Sequence, residues 1–410
     1  MRRGMRRTAA RMAGKNSVKM SMGVLRGRSH VPVTAEDYQF LAHRRLPHFL
    51  RDYIDGGAGG EDSMASNEDD FQLLCLRQRV MRDVSRVATA TELCGRSVSM
   101  PVALAPIGMA GMMARRGEVL GARAAANAGV PFTLSTVGIC PVEEVNAAVP
   151  DPCWFQLYML RDRGIVEALL QRAASAGCDT LLFTVDLAVT GMRHRDAQSG
   201  MLGGAPLAKA MQLLTRPRWL LDVGIRGKPH SFGHLSDLVA DPNDLGAYKD
   251  FVDSQFDPSV TWTDIEWLRA RWQGRLIIKG IMSDEDARAA AAAGADGVVV
   301  SNHGGRQLDG VSSTIRKLPE VAAAVGESLD VLLDGGIRCG TDVVKAVALG
   351  ADGVLIGRPW VWAVAARGEQ GLRDYPSVMQ QEISATMALM GVNRTEELNP
   401  ELLEMDQGIC

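Results

Sequence analysis

Short apolar runs recur along the chain at Val102–Ala105, Val130–Leu134, Trp154–Leu157, Leu181–Val185, Leu276–Ile278, Val298–Val300, Val331–Leu333 and Val354–Ile356. Runs this short, without polar alternation, fit strands buried on both faces. Between most of them lie Ala-rich amphipathic patterns, at Glu118–Ala128, Val142–Val149, Val166–Ala176, Asp284–Ala293 and Asp342–Leu349. Gly129, Gly177, Gly294 and Gly350 follow several of these patterns and suit helix C-caps. Eight alternations of strand and helix predict an α/β fold, a parallel (β/α)8 TIM barrel. A doubly wound open sheet is the alternative. The count of eight and the lack of an early GxGxxG fingerprint favour closure.

One interval breaks the rhythm. Asp186 and Leu276 are separated by far more chain than an ordinary connection needs, so a long insertion, about 187–260, follows strand four. Its stretch Leu207–Val223 mixes Leu, Met and Trp with Lys and Arg, with an amphipathic helix expected around Lys209–Leu214. It fits a lid, an oligomer contact or a patch resting on a membrane surface. The helix Asp264–Trp272 leads back into the barrel. Ahead of the barrel, Thr34-Ala-Glu-Asp37 reads as a capping box opening a helix to Arg45, and Pro47 starts another reaching Ile54. Glycines 56, 57, 59 and 60 break it, and the chain to Arg96 reads as polar connection. A helix from Ser377 to Met390 is expected to close the domain.

The domain is thus expected over 31–400, with a C-terminal tail at 401–410. Residues 1–30 carry nine Arg and Lys and no acid, which predicts disorder. Such a start fits a transit peptide, contact with an anionic surface, or an upstream choice of start codon, but not a secretory signal, since it lacks an apolar core.

Composition narrows the function. The 410 residues are 46% hydrophobic and 23% charged, enough for a large soluble core. A net charge of -3 argues against a general nucleic-acid binder. The seven cysteines are odd in number and scattered, with no CxxC pair, so neither a disulfide framework nor a thiolate metal site is expected. A reducing, cytoplasmic setting fits, and no apolar run reaches membrane-spanning length.

Candidate chemistry collects where the apolar runs end, the face on which such barrels carry their sites. The first ends in Pro106-Ile107-Gly108, the second in Ser135 and Thr136, the third in Gln156 and Tyr158. The fourth ends in Thr184 and Asp186, with Arg193 and Arg195 soon after; the fifth ends in Lys279. The sixth opens into SNHGGRQLDG, with Ser301, His303 and Arg306. The seventh gives Asp334, Gly335, Gly336 and Arg338, and the eighth Gly357 and Arg358. Alone, Asp334 reads as a cap, Arg358 as a surface charge and His303 as a solvated loop residue. Polar groups at the same end of every run instead point to one site. Gly335, Gly336, Gly357, Arg358 and a helix beginning at Thr341 read as a phosphate cradle. His303, Arg306, Arg193, Tyr53 and Tyr158 suit a small hydroxylated carboxylate, with His303 as base and Asp186 holding the imidazolium. Gly304 and Gly305 are expected to let the chain turn and a flat ligand approach.

SNHGGRQLDG, DGGIRCGTDVVKAVALGADGVLIGRP, WFQLYMLRDRG and LLFTVD resemble the FMN-dependent α-hydroxy acid dehydrogenase and oxidase family, from about Thr34 to about Thr395. MPVALAPIGMAGMMARRGEV and PFTLSTVGICPVEEV most resemble its bacterial quinone-linked L-lactate branch. The resemblance implies FMN and oxidation of an L-2-hydroxy acid, L-lactate to pyruvate, with electrons passed to a quinone or another carrier. It also implies a homotetramer, peripheral on the inner face of the cell membrane. By the same resemblance His303, Asp186 and Lys279 are catalytic, with Lys279 at the flavin edge. Tyr53, Tyr158, Arg193 and Arg306 bind substrate. Pro106, Ile107, Gly108, Ser135, Gln156, Thr184, Lys279, Ser301, Asp334, Gly335, Gly336, Arg338, Gly357 and Arg358 bind FMN. Val137 stands where plant glycolate oxidases carry Trp, and LAVTGMRHRD is closer to mandelate dehydrogenase. Gly108 stands where oxidases tend to have Ala. A mandelate-type dehydrogenase and an oxygen-using oxidase are the alternatives within the family. A flavin barrel acting on a peptide and a flavin-free phosphosugar barrel are those outside it.

Overall fold

The structure, a computed structural model, describes residues 31–201, 206–228, 230–235 and 254–405. The basic segment 1–30, much of the insertion and the end of the expected tail lie outside the described residues. From Thr34 onward the chain forms one compact unit.

All eight apolar runs become strands: β1 (Val102–Leu104), β2 (Thr133–Ser135), β3 (Trp154–Tyr158), β4 (Thr180–Thr184), β5 (Arg275–Ile281), β6 (Gly297–Val300), β7 (Asp330–Asp334) and β8 (Gly353–Ile356). Each pairs in parallel with the next from β2 to β8, and β8 pairs with β1 in the register Val354↔Val102. A single parallel bridge, Leu104↔Phe132, joins β1 to β2 and closes the ring. The barrel reading therefore holds over the open sheet.

Alternation along the strands separates two cores. Val298 and Val300 of β6 pack outward among the helices, while Val299 faces inward. The inner cluster joins Val299 to Ala103, Trp154, Leu182, Ile277, Leu332 and Leu355, and also to Leu93, Cys94 and Val98. Those last three belong to an antiparallel hairpin, Thr91–Leu93 with Arg96–Val98, which stoppers the barrel at the end away from the site. Small Ala103 and Gly353 make room for it; a Cβ on Gly353 would sit 2.7 Å from Leu93 Cδ1.

The connecting reading of 57–96 is corrected by this hairpin, by the helix Asp62–Leu73 and by the strand Leu74–Leu76. That helix carries eight polar residues in DSMASNEDDFQL, so it shows little apolar periodicity; its partners are polar loop groups. The stretch expected as a tail from 401 instead supplies Leu403–Met405, antiparallel to Leu74–Leu76. The closing helix is longer than expected, Glu369–Leu389, and carries Pro376 within it. A helix missing from the sequence reading, Arg358–Arg367, directly follows β8. The capping box at Thr34 is present, with mutual 3.2 Å bonds between Thr34 and Asp37. In the insertion, a helix Pro206–Leu214 leads to Pro217–Trp219 and a π-helical turn Leu220–Ile225. Trp219 anchors this arm, donating to the Met112 carbonyl at 2.8 Å. The returning helix is Trp262–Arg269.

Candidate active site

The loop after β6 is built around Ser301. Its hydroxyl accepts from Lys279 Nζ at 2.9 Å and from the His303 backbone N–H at 3.0 Å, and donates to Asp334 Oδ2 at 2.9 Å. One buried hydroxyl thus ties the ends of β5, β6 and β7 together. After Asn302, three successive residues, His303, Gly304 and Gly305, all have positive φ, 59°, 63° and 74°. For a side-chain-bearing residue this costs about 1–2 kcal/mol, which the surrounding bonds at His303 must offset. Gly305 differs from its expected task. A Cβ there would lie 2.6 Å from the Met64 backbone nitrogen, so this glycine admits the helix Asp62–Leu73 rather than a ligand. Gly336 does the same, with the Asn67 carbonyl 2.0 Å from its would-be Cβ. Asn67 then exchanges amide hydrogen bonds of 2.8 and 2.9 Å with Asn302, locking the helix onto the β6 loop.

His303 Nδ1 lies 2.8 Å from Asp186 Oδ1. Burial alone would raise the Asp186 pKa, but the His303 ring and the Lys279 ammonium outweigh it and hold it below the usual carboxylate range. An ionised carboxylate only accepts, so Nδ1 carries the hydrogen and Nε2 is the nitrogen left to take a proton. Burial, opposed by Asp186 and reinforced by Lys279, holds the His303 pKa below the ordinary imidazole value. At neutral pH the His303 ring is neutral, with the Asp186 carboxylate behind it. Lys279 is buried and 2.9 Å from Asp334 Oδ2. Burial lowers its pKa, yet Asp334 and Asp186 raise it by more, so it stays an ammonium.

Two arginines define the anion chemistry. Arg306 Nη1 donates to the carbonyls of Tyr53 and Gly56, both at 2.7 Å. Arg358 donates to the carbonyls of Ile54, Gly304 and Gly56 at 3.0, 3.0 and 3.1 Å. The Tyr53, Ile54 and Gly56 carbonyls lie at the C-terminus of the helix His48–Asp55, the end that favours cations. The hydrogen bonds of both arginines thus go to backbone carbonyls and not to carboxylates. Burial, with repulsion from Arg193, pulls the Arg306 pKa down to about 10. Burial, with repulsion from Arg306 and Arg338, pulls Arg358 to about 9. Positive charge this poorly compensated is stabilised by an incoming anion. Arg193 joins them, its Nε 3.3 Å from the Arg306 carbonyl. Tyr53 lies under Arg306, ring centroid to guanidinium carbon 5.0 Å. Burial and the Asp186 charge raise the Tyr158 pKa, so its phenol remains a donor.

These groups line one cleft at the C-terminal mouth, together with Pro106, Ile107, Gly108, Thr184, Asp334, Gly335, Gly336, Arg338 and Gly357. Asp186, Ser135, Gln156 and Ser301 lie just beneath its wall. Gln156 supports that wall, accepting from Ser135 Oγ at 3.1 Å and donating to Thr184 Oγ1 at 3.1 Å. The helix end proposed for phosphate is corrected. At the helix Gly340–Ala348, Asp342 takes the N–H groups of Arg338 and Cys339, and Glu382 that of Gly340. The helix Arg358–Arg367, with Gly357 at its N-cap and no side-chain cap, is the one that opens onto the cleft. Arg338 is already paired, 2.7 Å from Glu68. Sequence reasoning missed Leu187, Met201, Phe232 and Phe256, which the insertion and its flanks bring to the cleft. No spacing or motif marks them; only the folded return of the insertion does.

Comparisons with known proteins place this fold in a family. The model for the FMN-dependent dehydrogenase family matches residues 42–405. An L-lactate dehydrogenase from Caulobacter sp. (strain K31) is 52% identical over 368 residues, 90% of this chain and 97% of that protein. An L-lactate dehydrogenase from Xanthomonas campestris pv. campestris (strain B100) is 51% identical over 370 residues, 90% and 96% of the two chains. Among solved structures, the monotopic membrane protein (S)-mandelate dehydrogenase superposes with a TM-score of 0.87 at 36% identity, covering 92% of this chain and 100% of its own. A mandelate oxidase superposes with a TM-score of 0.78 at 36% identity, covering 92% and 99%. With a family match spanning the barrel from end to end and relatives this similar over nine-tenths of its length, the chain belongs to the FMN-dependent dehydrogenases.

Proposed function

We propose that this FMN enzyme oxidises L-lactate to pyruvate and hands the electrons to a quinone or similar carrier at a membrane surface. The observation that carries the reading is the pair of withdrawn arginines, Arg306 and Arg358, held by backbone carbonyls instead of carboxylates. One site thus offers two separate attractions for anions, as a carboxylate substrate and a phosphorylated cofactor require. The cleft fits FMN: Arg358, Gly357 and the uncapped helix end would hold its phosphate, and Lys279 and Pro106–Gly108 would border its ring. FMN when bound supplies the two-electron acceptor.

The side chains supply the rest. Arg306 and Arg193 grip the substrate carboxylate, and Tyr53 and Tyr158 orient its hydroxyl. His303 takes the proton at Nε2, and Asp186 stabilises the imidazolium that results. Lys279 puts a fixed positive charge where negative charge accumulates, at no cost of reorganisation.

L-lactate is favoured over a larger acid by the closeness of three residues on one wall. A Cβ on Gly108 would lie 2.8 Å from Val137 Cγ2 and 3.1 Å from the Tyr53 hydroxyl. The names of the L-lactate dehydrogenase relatives support the same choice. The mandelate reading has support too, from the mandelate dehydrogenase fold match and from LAVTGMRHRD. Anaerobic flavin bleaching with lactate, mandelate, glycolate and longer 2-hydroxy acids separates them. Lactate is expected to be fastest, and faster bleaching by mandelate would overturn the choice. Peroxide yield against dye reduction separates an oxidase from a dehydrogenase.

Membrane contact rests on the insertion. Leu207, Met211 and Leu214 lie at spacings of four and three on the helix Pro206–Leu214 and are 76%, 57% and 66% exposed. Leu221 and Ile225 are exposed on the following turn, with Arg216, Arg218 and Arg226 nearby. Apolar side chains beside basic ones suit the boundary of an anionic bilayer. No helix among the described residues is long and apolar enough to cross it. Replacing Leu207, Met211 and Leu214 together by Gln is expected to lower partition into anionic vesicles at least tenfold (about 1.4 kcal/mol or more). Dye-linked activity in solution should be unchanged; undiminished partition would remove the helix from the proposal.

A further inference from the structure

Gln307 follows Arg306 but lines no part of the cleft. Its amide nevertheless makes four hydrogen bonds to one short segment after β4. Nε2 donates to the carbonyls of Asp186 and Val189, both at 3.0 Å. Oε1 accepts from the Gly191 N–H and from Arg193 Nη2, both at 3.2 Å. The partners fix which way the amide points, because two carbonyls need donors and an N–H and a guanidinium need an acceptor. The two loops also meet backbone to backbone. A Cβ on Gly191 would lie 2.4 Å from the Arg306 carbonyl and 2.7 Å from that of Gln307.

The segment held in this way carries two working residues with different tasks. Asp186 holds the His303 ring, and Arg193 faces the carboxylate end of the cleft with Arg306. We propose that Gln307 is the positioning residue that sets both: its donors fix the Asp186 backbone, and hence the acid behind His303, while its acceptor aims Arg193 at the substrate carboxylate. The inference rests on the 2-hydroxy-acid reading of the site. It deepens that reading by placing proton transfer and carboxylate binding under one side chain that touches neither substrate nor cofactor.

The two halves of the amide can be separated. In Gln307→Glu the acceptor toward Gly191 and Arg193 survives, but the donors to Asp186 and Val189 are lost. In Gln307→Leu both are lost. Loss of a hydrogen bond to a charged group is worth about tenfold in affinity. Gln307→Leu is therefore expected to raise the KM for L-lactate, and the calorimetric dissociation constant of the unreactive dianion oxalate, about tenfold. In an Arg193→Ala background the same change should shift either constant less than about twofold, because the group it aims is gone. Gln307→Glu keeps the acceptor but adds a charge that pairs with Arg193 and opposes the dianion, so it too should weaken oxalate binding and lower kcat. Gln307→Leu adds no charge and should move the acid limb of kcat/KM to lower pH with or without Arg193, since Asp186 raises the His303 pKa and would now be held less firmly.

Urea unfolding of each variant separates positioning from plain destabilisation. A Gln307→Leu penalty on oxalate binding that is equally large with and without Arg193 would overturn the assignment, as would a Gln307→Leu acid limb that stays in place. If the wild-type protein neither oxidises a 2-hydroxy acid nor binds oxalate, the functional reading falls and this inference falls with it. Wild-type turnover with additive variants sinks only the inference.

Discussion

Changing His303 to Gln is expected to leave the protein folded, yellow with FMN and able to bind oxalate, while flavin reduction by L-lactate slows by about 10^2–10^4-fold, the range of a positioned general base. The Gln amide can still donate toward Asp186, so the buried carboxylate keeps a partner. What it lacks is a nitrogen able to accept a proton near neutral pH. Single-turnover bleaching under anaerobic conditions reads this step without the acceptor reaction, and a wild-type rate there would remove His303 from the mechanism. The pH profile supplies the second half of the test. Because burial and Lys279 hold the His303 pKa below the ordinary imidazole value against the pull of Asp186, the working base is the neutral form. As pH falls, kcat/KM should therefore hold through the range where free imidazole titrates and drop only below it. In Asp186→Asn the group that raises this pKa is gone. The limb should then move lower still while the plateau rate falls, since the imidazolium formed in the reaction has lost its counter-charge.

Most of the barrel and most of the site were legible because both are written in local terms. Each strand is a run of three to seven residues with its polar groups in its C-terminal half or just beyond, so listing run ends lists the mouth of the cleft. The misses share a cause: they depend on partners distant in sequence. The helix Asp62–Leu73 has too little apolar periodicity to be recognised, because its buried residues are Ser63, Asn67 and Asp70 with Phe71 alone apolar among them. Asn67 and Asp70 reach across the chain. Those residues bond Asn302, Ser313 and Arg316, more than 230 positions away. The helix Arg358–Arg367 is apolar nearly all round, with Trp360, Trp362 and Val364 buried, so it shows no stripe. Without it, the reading joined Gly357 and Arg358 to the helix beginning at Thr341, whose leading N–H groups Asp342 and Glu382 already take. Gly305 looked like space for a ligand because sequence cannot say which backbone passes behind a glycine.

Lys279→Met tests whether a residue buried in the wall of the site is structural, functional or both. The ammonium sits between Ser301 and Asp334, each at 2.9 Å, and its pKa is raised by Asp334 and Asp186 beyond what burial takes away. Methionine fills nearly the same volume but leaves Asp334 as a buried carboxylate with Ser301 as its remaining partner. Breaking one side of such a pair is expected to cost about 3–5 kcal/mol, read as a lower urea midpoint. Flavin reduction should be lost as well, because the fixed positive charge at the cleft goes with it. The single variant cannot separate these effects, and Lys279→Met with Asp334→Asn can. Asparagine removes the orphaned charge yet still accepts from the Ser301 hydroxyl, so most of the lost stability should return. The charge at the cleft does not return, and reduction by L-lactate should stay as slow as in the single variant. If the neutral pair restores stability and reduction together, Lys279 is a strut for the β5 and β7 ends and no more. If stability returns alone, the ammonium acts on the reaction itself.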